Sequence, residues 1–491
     1  MLNKILSASQ IREADAFTIK DEPILSIDLM ERASNAFVNA IISQIDHNET
    51  IAVLCGTGNN GGDGLAVARI LMWKGYEVDP ILCMINESLS EDCKQNASRI
   101  DTITTLSKGS EIPDLTRYSY IIDGLFGSGL NREVEGWAGQ IIDAINTSNA
   151  KIFSIDIPSG MFCDAISYGK HIVQSDLVVS FQRPKRCFFF KESDPFIKAW
   201  KVVDIGLNES FIQDQPAHHF ILDEKIAEKV KRRAKYSHKG TYGHALLIAG
   251  SREKFGAAIL SGKGCLRSGI GLLTIHVPES GADIIQMTLP EAMVSIDPHF
   301  SHFSKLPELD RFNCIGIGPG LGTSYDSRDA LIQLLDTYDL PLVLDADALN
   351  ILSLNPELKS RIPSNSVLTP HPKEFQRLVG EWKGSMERLK KQIEFSQKYH
   401  CVLVLKDAVT VITDPTGNVY FNTTGNPGMA TGGSGDVLTG IITGLMGQGY
   451  TSLDAALLAV YFHGHAGDEV AQIKGQNALL ASDIAETLRI E

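Results

Sequence analysis

The stretch GNPGMATGGSGDVLTG (425–440) concentrates six glycines around one carboxylate, Asp436. Glycine lets backbone N–H groups come close to phosphate oxygens, and the apolar run after Asp436 predicts a helix whose N-terminus favours an anion. An aspartate at such a point is typical of a general base that takes a proton from a hydroxyl group attacking phosphorus. The chain has no Walker lysine motif, since Gly256–Gly264 has the wrong spacing and no Ser or Thr follows Lys263.

A second glycine loop, CGTGNNGGDG (55–64), lies between a predicted strand and a predicted helix. Gly56, Gly58 and Gly61 have the dinucleotide-binding spacing, but Asp79 comes too early to be the ribose-binding acid of that motif. The side-chain amides and free N–H groups of the NNGGDG run predict a site for phosphate or another anion at the helix N-terminus. A tight strand-to-helix turn without a ligand is the structural alternative.

Polar groups also end two other predicted strands: Asp123 precedes GLFGSG, and Asp156 precedes IPSG. In an open parallel sheet, ligands bind beyond the carboxyl ends of the strands, so these loops should converge with the NNGGDG loop. Asn60, Asp123 and Ser159 offer hard oxygen donors, which suit an alkali or alkaline-earth cation. Helix capping is the alternative role for each strand-end acid.

The elements that must position these groups form two series of short apolar strands alternating with helices, which predicts parallel α/β sheets. The pattern breaks between about 205 and 240, where polar sequence leads into the basic run KVKRRAK (229–235), predicted to be a solvated helix face or linker. In the second half, CVLVLKDAVTVIT (401–413) is predicted as one strand that returns through DPTGN as a hairpin with VYFN. The sequence therefore predicts two α/β domains in tandem.

Composition excludes several classes of partner. The 491 residues carry a net charge of −14, with a pI near 5.4 and mean hydropathy of −0.01, so neither nucleic acid nor an anionic membrane is an expected partner. Eight cysteines show no zinc or CxxC spacing, and the N-terminus lacks the apolar core of a signal peptide. We expect a cytoplasmic protein that forms a homo-oligomer.

The first half resembles the NAD(P)H-hydrate epimerases through LMERA, GTGNNGGDG, DGLFGSG, IDIPSG and FQRPK, which cover residues 1–210. The resemblance implies a Rossmann-like sheet with helices on both faces and K⁺ bound by Asn60, Asp123 and Ser159. Asp156 matches the family's substrate-binding acid and is the candidate for proton transfer. The implied contacts to the hydrated nucleotide are Asn59, Asn60, Gly61, Gly62, Asp63, Gly127, Ser128, Gly129, Leu130, Asn131, Arg132, Glu133 and Asp156.

The second half resembles ADP/ATP-dependent NAD(P)H-hydrate dehydratases, which have a ribokinase-like fold and use Mg²⁺ with ADP or ATP. The resemblance covers 235–491 and rests on HKGTYGHALLIAGS, GPGLG, LDADALN, LTPHPKEFQRL, LKDAVTVI and GGSGDVLTGIITGL. It implies that Asp436 is catalytic and that Ala258, Gly320, His371 and Asp436 hold the hydrated nucleotide. The resemblance also implies that the adenine nucleotide is bound by Lys406, Asp407, Ala408, Val409, Thr410 and Gly435.

Together the two resemblances predict a bifunctional enzyme, with an epimerase domain over 1–214 and a dehydratase domain over 223–491. The first would interconvert R and S forms of hydrated NADH or NADPH, and the second would dehydrate the S form at the expense of ADP or ATP. An alternative is a ribokinase-like kinase of a small molecule, joined to an N-terminal module that binds a ligand without catalysis.

Overall fold

The computed structural model describes residues 3–491. The chain forms two compact units, one made of Lys4–Ala217 with Gly384–Met386 and the other of His218–Lys383 with Glu387–Glu491. No helix within residues 3–491 is both long and apolar enough to cross a bilayer.

The first unit is built on a parallel sheet with the strand order β4-β3-β2-β5-β6-β7-β8. A two-residue strand, β1 (Asn3–Lys4), precedes it. The strands of the sheet are β2 (Thr50–Cys55), β3 (Glu77–Cys83), β4 (Thr104–Leu106), β5 (Tyr120–Gly124), β6 (Lys151–Ile155), β7 (Leu177–Phe181) and β8 (Trp200–Val203). The helices are α1 (Ala8–Asp21), α2 (Ser26–Ile41), α3 (Asn59–Trp73), α4 (Glu91–Ala97), α5 (Gly136–Asn146) and α6 (Glu209–Asp214), with 3₁₀ helices at Ile42–Gln44, Arg186–Phe189 and Lys191–Phe196.

The central strands of this sheet are buried on both faces. Ile51 and Val53 of β2 pack into one apolar core with α2 and α3, whereas Ala52 and Leu54 pack into a second core with α5. Since successive side chains of a strand point to opposite faces, this explains the continuous apolar run IAVLC. The expected sheet with helices on both faces is confirmed.

The second unit is also an α/β layer structure, with strands in the order β9-β18-β17-β16-β15-β14-β13-β10-β11-β12. These strands are β9 (His219–Ile221), β10 (His244–Ile248), β11 (Leu272–Pro278), β12 (Met293–Asp297), β13 (Cys314–Ile317), β14 (Leu342–Leu344), β15 (Val367–Leu368), β16 (Val402–Leu405), β17 (Thr410–Thr413) and β18 (Val419–Asn422). The helices are α7 (Phe255–Arg267), α8 (Ala282–Thr288), α9 (Tyr325–Thr337), α10 (Ala346–Leu354), α11 (Pro372–Val379), α12 (Gly384–Lys398), α13 (Ser434–Gly447), α14 (Ser452–Lys474) and α15 (Ala481–Thr487). Its 3₁₀ helices are Glu224–Lys229, Lys239–Tyr242, Glu279–Gly281, Pro356–Arg361, Pro427–Met429 and Gln476–Ala478.

Two details differ from the sequence-based expectation. The run 401–413 is not one strand: β16 and β17 pair antiparallel, and the chain reverses between them over residues 406–409. The predicted hairpin of β17 with β18 is confirmed. The basic run 229–235 is not a helix face: Lys229 ends the 3₁₀ helix Glu224–Lys229, and residues 230–234 have no regular structure, as in the linker alternative.

Helices α7 and α13 approach each other so closely that glycine is required at the contact. A Cβ added at Gly440 would overlap the carbonyl oxygen of Ser261, and one added at Gly264 would overlap that of Val437. Both glycines are buried. The N-terminus of α13, where Asp436 lies, is thereby held against α7.

Replacing Gly440 by Ala should destabilise the second unit by about 1–3 kcal/mol, because the added methyl group has no space at the helix contact. The free energy of unfolding, measured by urea denaturation, tests this. Gly256→Ala is the matched control, because it changes an exposed glycine of α7 whose Cβ would meet no atom within 4 Å. Equal stability of the two variants would contradict the requirement for glycine at the contact.

Candidate active sites

A cavity of about 730 Å³ opens in the first unit beyond the carboxyl ends of β2, β5 and β6. Most of the residues expected to bind the hydrated nucleotide line it. They are Asn59, Asn60, Asp63, Gly127, Ser128, Gly129, Leu130, Asn131, Arg132, Glu133 and Asp156. The strand-end loops therefore converge in the structure, as predicted.

Gly61 and Gly62 do not line this cavity. A Cβ at Gly61 would overlap the carbonyl oxygen of Gly56, and one at Gly62 would press on Met30 and the backbone of Cys93. These glycines let the first turns of α3 pack against the end of β2 and against α2 and α4. Their role in the structure is to place Asn60 and Asp63 at the cavity.

Beneath the cavity lies a cluster of oxygen atoms around the buried side chain of Asp123. Ser159 donates to this carboxylate from its backbone N (2.8 Å) and its Oγ (2.5 Å), and Ser154 Oγ donates to it as well (2.9 Å). Asn60 Nδ2 donates to the carbonyl oxygen of Phe126 at 2.9 Å, which brings the Asn60 amide beside the cluster around Asp123. Burial raises the pKa of Asp123, although its hydrogen bonds oppose the shift.

Asp156 is held by a buried lysine. Lys185 Nζ lies 2.6 Å from Asp156 Oδ1, and the backbone N of Phe181 donates to the same oxygen at 2.9 Å. Asp156 also has a positive φ of 63°, a conformation that non-glycine residues rarely adopt. Burial opposes the charge of Lys185, but the nearby acids, Asp156 first, raise its pKa overall. Sequence reasoning quoted Lys185 in FQRPK without assigning it a role.

In the second unit, Asp436 lies in the first turn of α13, after Gly433 with a φ of 95°. Burial, followed by the negative charges of Asp345, Asp347 and Glu374, raises the pKa of Asp436 to about 7, and Lys406 opposes this shift. A carboxyl group with such a pKa can accept a proton at neutral pH. The glycine run thus surrounds a half-buried carboxyl group with a raised pKa, and its role as a general base stays a prediction.

Lys406 follows β16 and bonds the buried carboxylate of Asp345, which follows β14. The Nζ–Oδ1 distance is 2.9 Å, and Thr439 Oγ1 of α13 donates to the other oxygen of Asp345 at 2.6 Å. A Cβ at Gly435 would lie 3.1 Å from Lys406 Nζ, so the ammonium group lies directly against the glycine run. Burial works against the charge of Lys406, but Asp345 and Glu374 raise its pKa overall.

The other predicted residues of this unit lie in different surroundings. His371 caps α11, where its Nδ1 accepts from two backbone N–H groups, and burial lowers its pKa. Gly320 lies against α7, since a Cβ on it would be 3.0 Å from that of Ala257. The side chain of Ala258 is fully buried in the core.

The predicted adenine-nucleotide set combines Lys406, Asp407, Ala408 and Val409 of the turn between β16 and β17 with Thr410 of β17 and Gly435 of α13. Of its members, Lys406 and Gly435 are brought together, whereas Asp407 is exposed and paired with Arg388 NH1 at 2.5 Å. Ala408 is exposed, and Val409 and Thr410 are half-buried.

The glycine run itself is fixed to α14. Asp468 accepts hydrogen bonds from the backbone N of Gly425 (2.8 Å) and from Asn426 Nδ2 (3.0 Å). His463 lies 3.0 Å from the carbonyl oxygen of Ser434, and burial lowers the pKa of His463 to about 4, so the neutral ring donates this bond. These contacts hold the turn that leads into Asp436.

Several residues of both sites escaped sequence reasoning. Asp345 and Asp347 of LDADALN directly follow a strand, so the strand-end argument applied to the first half would have found them. Glu374 lies in the first turn of α11 and is buried. Asp15 on α1 lines the first cavity, and no local sequence signal marks it.

The chain is similar to known proteins over both units. A family model described as NAD(P)H-hydrate dehydratase matches residues 245–489, and one described as YjeF-related protein N-terminus matches 26–187. Two curated proteins named bifunctional NAD(P)H-hydrate repair enzyme are each 34% identical to the chain. The protein from Moorella thermoacetica aligns over 99% of this chain and 96% of its own length, and that from Coxiella burnetii over 98% of both.

A solved structure is similar to the second unit. It is the crystal structure of ADP/ATP-dependent NAD(P)H-hydrate dehydratase from Bacillus subtilis, co-crystallised with ATP/Mg²⁺, and its sequence is 36% identical to this chain. The alignment covers 54% of this chain and 94% of that one, with a TM-score of 0.46.

The raised pKa of Asp436 has a consequence for stability. A carboxyl group that binds its proton more tightly in the folded chain contributes stability below its usual pKa of 3.8, and this contribution is lost as the pH rises toward about 7. The neutral variant Asp436→Asn should therefore raise the melting temperature of the second unit at pH 8, and by less at pH 5. Asp339→Asn, which changes an exposed acid, is the control. An equal effect of Asp436→Asn at the two pH values would contradict the assigned shift.

Proposed function

This chain belongs to the family of bifunctional NAD(P)H-hydrate repair enzymes, and we propose on that premise that it restores hydrated NADH and NADPH. The first unit interconverts the R and S hydrates. The second dehydrates the S form with ADP or ATP and releases AMP or ADP together with phosphate. The single observation that carries the dehydratase half is the placement of Asp436 at the N-terminus of α13, beside Lys406 and Gly435.

The dehydratase reaction follows from that placement. Asp436 takes the proton of the ring hydroxyl group, whose oxygen attacks the terminal phosphorus of ADP or ATP. Backbone N–H groups of the glycine run and the ammonium group of Lys406 stabilise the negative charge on the phosphoryl oxygens. Phosphate is a better leaving group than hydroxide. Its departure, with loss of a proton from the neighbouring carbon, restores the ring double bond.

Nucleotide and hydrate are assigned to neighbouring parts of this site. The hydrate is held by Ala258, Gly320, His371 and Asp436, and Mg²⁺ enters as the complex of ADP or ATP, where it neutralises phosphate charge. The adenine nucleotide is held by Gly435 and by the turn Lys406, Asp407, Ala408, Val409 and Thr410. The boundaries 1–214 and 223–491 and assembly as a homo-oligomer remain predictions.

In the first unit, Asp156 binds the hydrate and takes part in proton transfer, and Asn60, Asp123 and Ser159 hold K⁺. The donor set fits a potassium ion, because it consists of a carboxylate, a hydroxyl and an amide oxygen. Asp123 is fully buried, yet within residues 3–491 no cationic side chain lies within 4.0 Å of it. A bound cation would supply the missing positive charge and order the loops that contain these residues.

Replacing Asp436 by Asn should lower the turnover of S-hydrate dehydration by about 10²–10⁴-fold, because the amide cannot accept the hydroxyl proton. The rate is followed as the return of reduced-nicotinamide absorbance with ADP and Mg²⁺ present. Asp339→Asn is again the control and should leave the rate unchanged. Near-normal turnover of Asp436→Asn would remove Asp436 from the mechanism.

Exchanging K⁺ for Na⁺ should change the rate at which the R hydrate converts into the S hydrate, because the smaller ion does not satisfy the same oxygen donors. The rate is measured by separating the epimers chromatographically, without ADP. Dehydration of the S form is the internal control, since its residues lie in the other unit. An epimerisation rate indifferent to the cation would refute the site formed by Asn60, Asp123 and Ser159.

A small-molecule kinase remains the alternative for the second unit. It predicts a stable phosphorylated product, whereas the dehydratase releases inorganic phosphate. Near-full-length similarity to the curated repair enzymes favours the dehydratase.

A further inference from the structure

The cavity of the first unit contains more acids than the expected substrate contacts account for. Asp15 of α1, Asp63 of α3 and Asp156 after β6 all line it, together with the ammonium group of Lys185 after β7. The other charged residues of the lining, Arg12, Arg132, Glu133 and Glu135, are exposed, so three less exposed carboxyl groups share one buried lysine. Burial and like charge both favour a proton on at least one of these three carboxyl groups.

The lysine belongs to Asp156. Lys185 is only 2% exposed and its Nζ lies 2.6 Å from Asp156 Oδ1, with the backbone N of Phe181 donating to that same oxygen. The side chain of Asp156 is therefore paired with a cation, and its direction is fixed. It suits a group that accepts a proton.

Asp15 is in the opposite situation. Its side chain is half-buried, and within residues 3–491 it has no hydrogen-bond or ion-pair partner. Burial, with the charge of Asp156 adding to it, raises the pKa of Asp15 to about 6, and Lys185 opposes this shift. Burial first, and then the charges of Asp156, Asp15 and Asp92, raise the pKa of Asp63 well above its usual value. A carboxyl group that exchanges its proton near neutral pH and bonds nothing in the protein is available to a substrate.

We propose that Asp15 is a catalytic residue of the first unit, the acid that protonates the hydroxyl group of the hydrate, and that Lys185 is a positioning residue that maintains Asp156 as the matching base. The proposal rests on the epimerase function proposed above. It assigns separate tasks to two carboxyl groups that line one cavity. Geometry and partner atoms distinguish them: one carboxyl is paired with a buried ammonium group and the other is unpaired.

The reaction balances as follows. The hydroxyl group is on the carbon bonded to the ring nitrogen. Asp15 donates a proton to its oxygen, the C–O bond breaks, and water leaves while the nitrogen lone pair forms a C=N⁺ bond. A second water adds to the opposite face of that carbon, the C=N electrons return to nitrogen, and Asp156 takes the proton released. Transfer of this proton from Asp156 to Asp15 through solvent completes the cycle, and in the reverse direction the two acids exchange roles.

One consequence is independent of any mutation. Each epimerisation replaces the hydroxyl oxygen by one from solvent, since the leaving and entering waters occupy opposite faces. In H₂¹⁸O with K⁺ and without ADP, the wild-type chain should therefore put one ¹⁸O into each hydrate molecule that changes configuration, as read by mass spectrometry. Epimerisation without label would overturn the C–O cleavage step and with it the role of Asp15.

The direct test compares Asp15→Asn, Asp15→Glu and Glu13→Gln, each as the full chain, after subtraction of the spontaneous epimerisation rate at each pH. Asp15→Asn should lower the turnover number for epimerisation by about 10²–10⁴-fold and change KM much less. Asp15→Glu should recover part of the rate, because it keeps an acid. Glu13→Gln, which changes an exposed acid of the same helix outside the cavity, should match wild type.

The pH profile separates a catalytic from a structural role. The wild-type rate should fall as the pH rises above about 6, because Asp15 then loses the proton it must donate. Asp15→Asn should lack this decline. The other charged groups that face the cavity, and that stay unchanged in the variant, are Arg12, Asp63, Arg132, Glu133, Glu135, Asp156 and Lys185.

Dehydration of pure S hydrate, carried out by the other unit, should be unchanged in Asp15→Asn, and the midpoint of urea denaturation of the first unit reports whether each variant is folded. An epimerisation rate of Asp15→Asn equal to that of the wild type, or a decline of the variant's rate above pH 6, would overturn the role of Asp15 alone. Absence of epimerisation in the wild-type chain, with S-hydrate dehydration intact, would instead refute the epimerase function on which the proposal rests.

Discussion

Charge balance among buried and half-buried side chains is the constraint on which both sites depend. In each unit, a lysine that follows one strand bonds an aspartate that follows another: Lys185 with Asp156 at 2.6 Å, and Lys406 with Asp345 at 2.9 Å. In each unit a further carboxyl group faces the same region without a cation of its own. Burial and the nearby acids then raise its pKa, to about 6 for Asp15 and about 7 for Asp436. A carboxyl group left outside the ion pair is a means of placing an exchangeable proton where the chemistry occurs.

Such an arrangement lowers stability, and the surrounding fold offsets this. A buried ion pair gains little net free energy, since desolvation opposes the attraction, and an unpaired buried acid is unfavourable at neutral pH. The second unit compensates through the close contact of α7 with α13 at Gly264 and Gly440, and through the bonds of Asp468 and His463 to the turn before Asp436. The first unit places Asn60 and Asp63 through the tight packing of Gly61 against the end of β2. Rigid backbone thus supports side chains that would relax in a looser structure.

Sequence reasoning predicted what local patterns determine. Apolar strands alternating with helices gave the two α/β sheets, and the strand-end rule brought Asn60, Asp123 and Ser159 together. It missed what depends on distant parts of the chain: Asp15 lies on a helix before the first sheet strand and reaches the cavity only through tertiary packing. It assigned Gly61 and Gly62 to the hydrate by resemblance, which stays a prediction, and it could not foresee their close packing against Gly56 and Met30. It also joined β16 and β17, since the reversal over residues 406–409 contains neither glycine nor proline.

The central claim is that one chain restores both epimers of a hydrated nicotinamide nucleotide, and one assay tests it most directly. An R/S mixture of NADH hydrate is incubated with the purified protein, K⁺, Mg²⁺ and ADP, and the reduced-nicotinamide absorbance is followed together with AMP and phosphate. The account predicts recovery of the whole mixture faster than spontaneous epimerisation allows, with one AMP and one phosphate per molecule restored. Recovery that stops at the S fraction would contradict the epimerase half, and no recovery with either ADP or ATP would contradict the account as a whole.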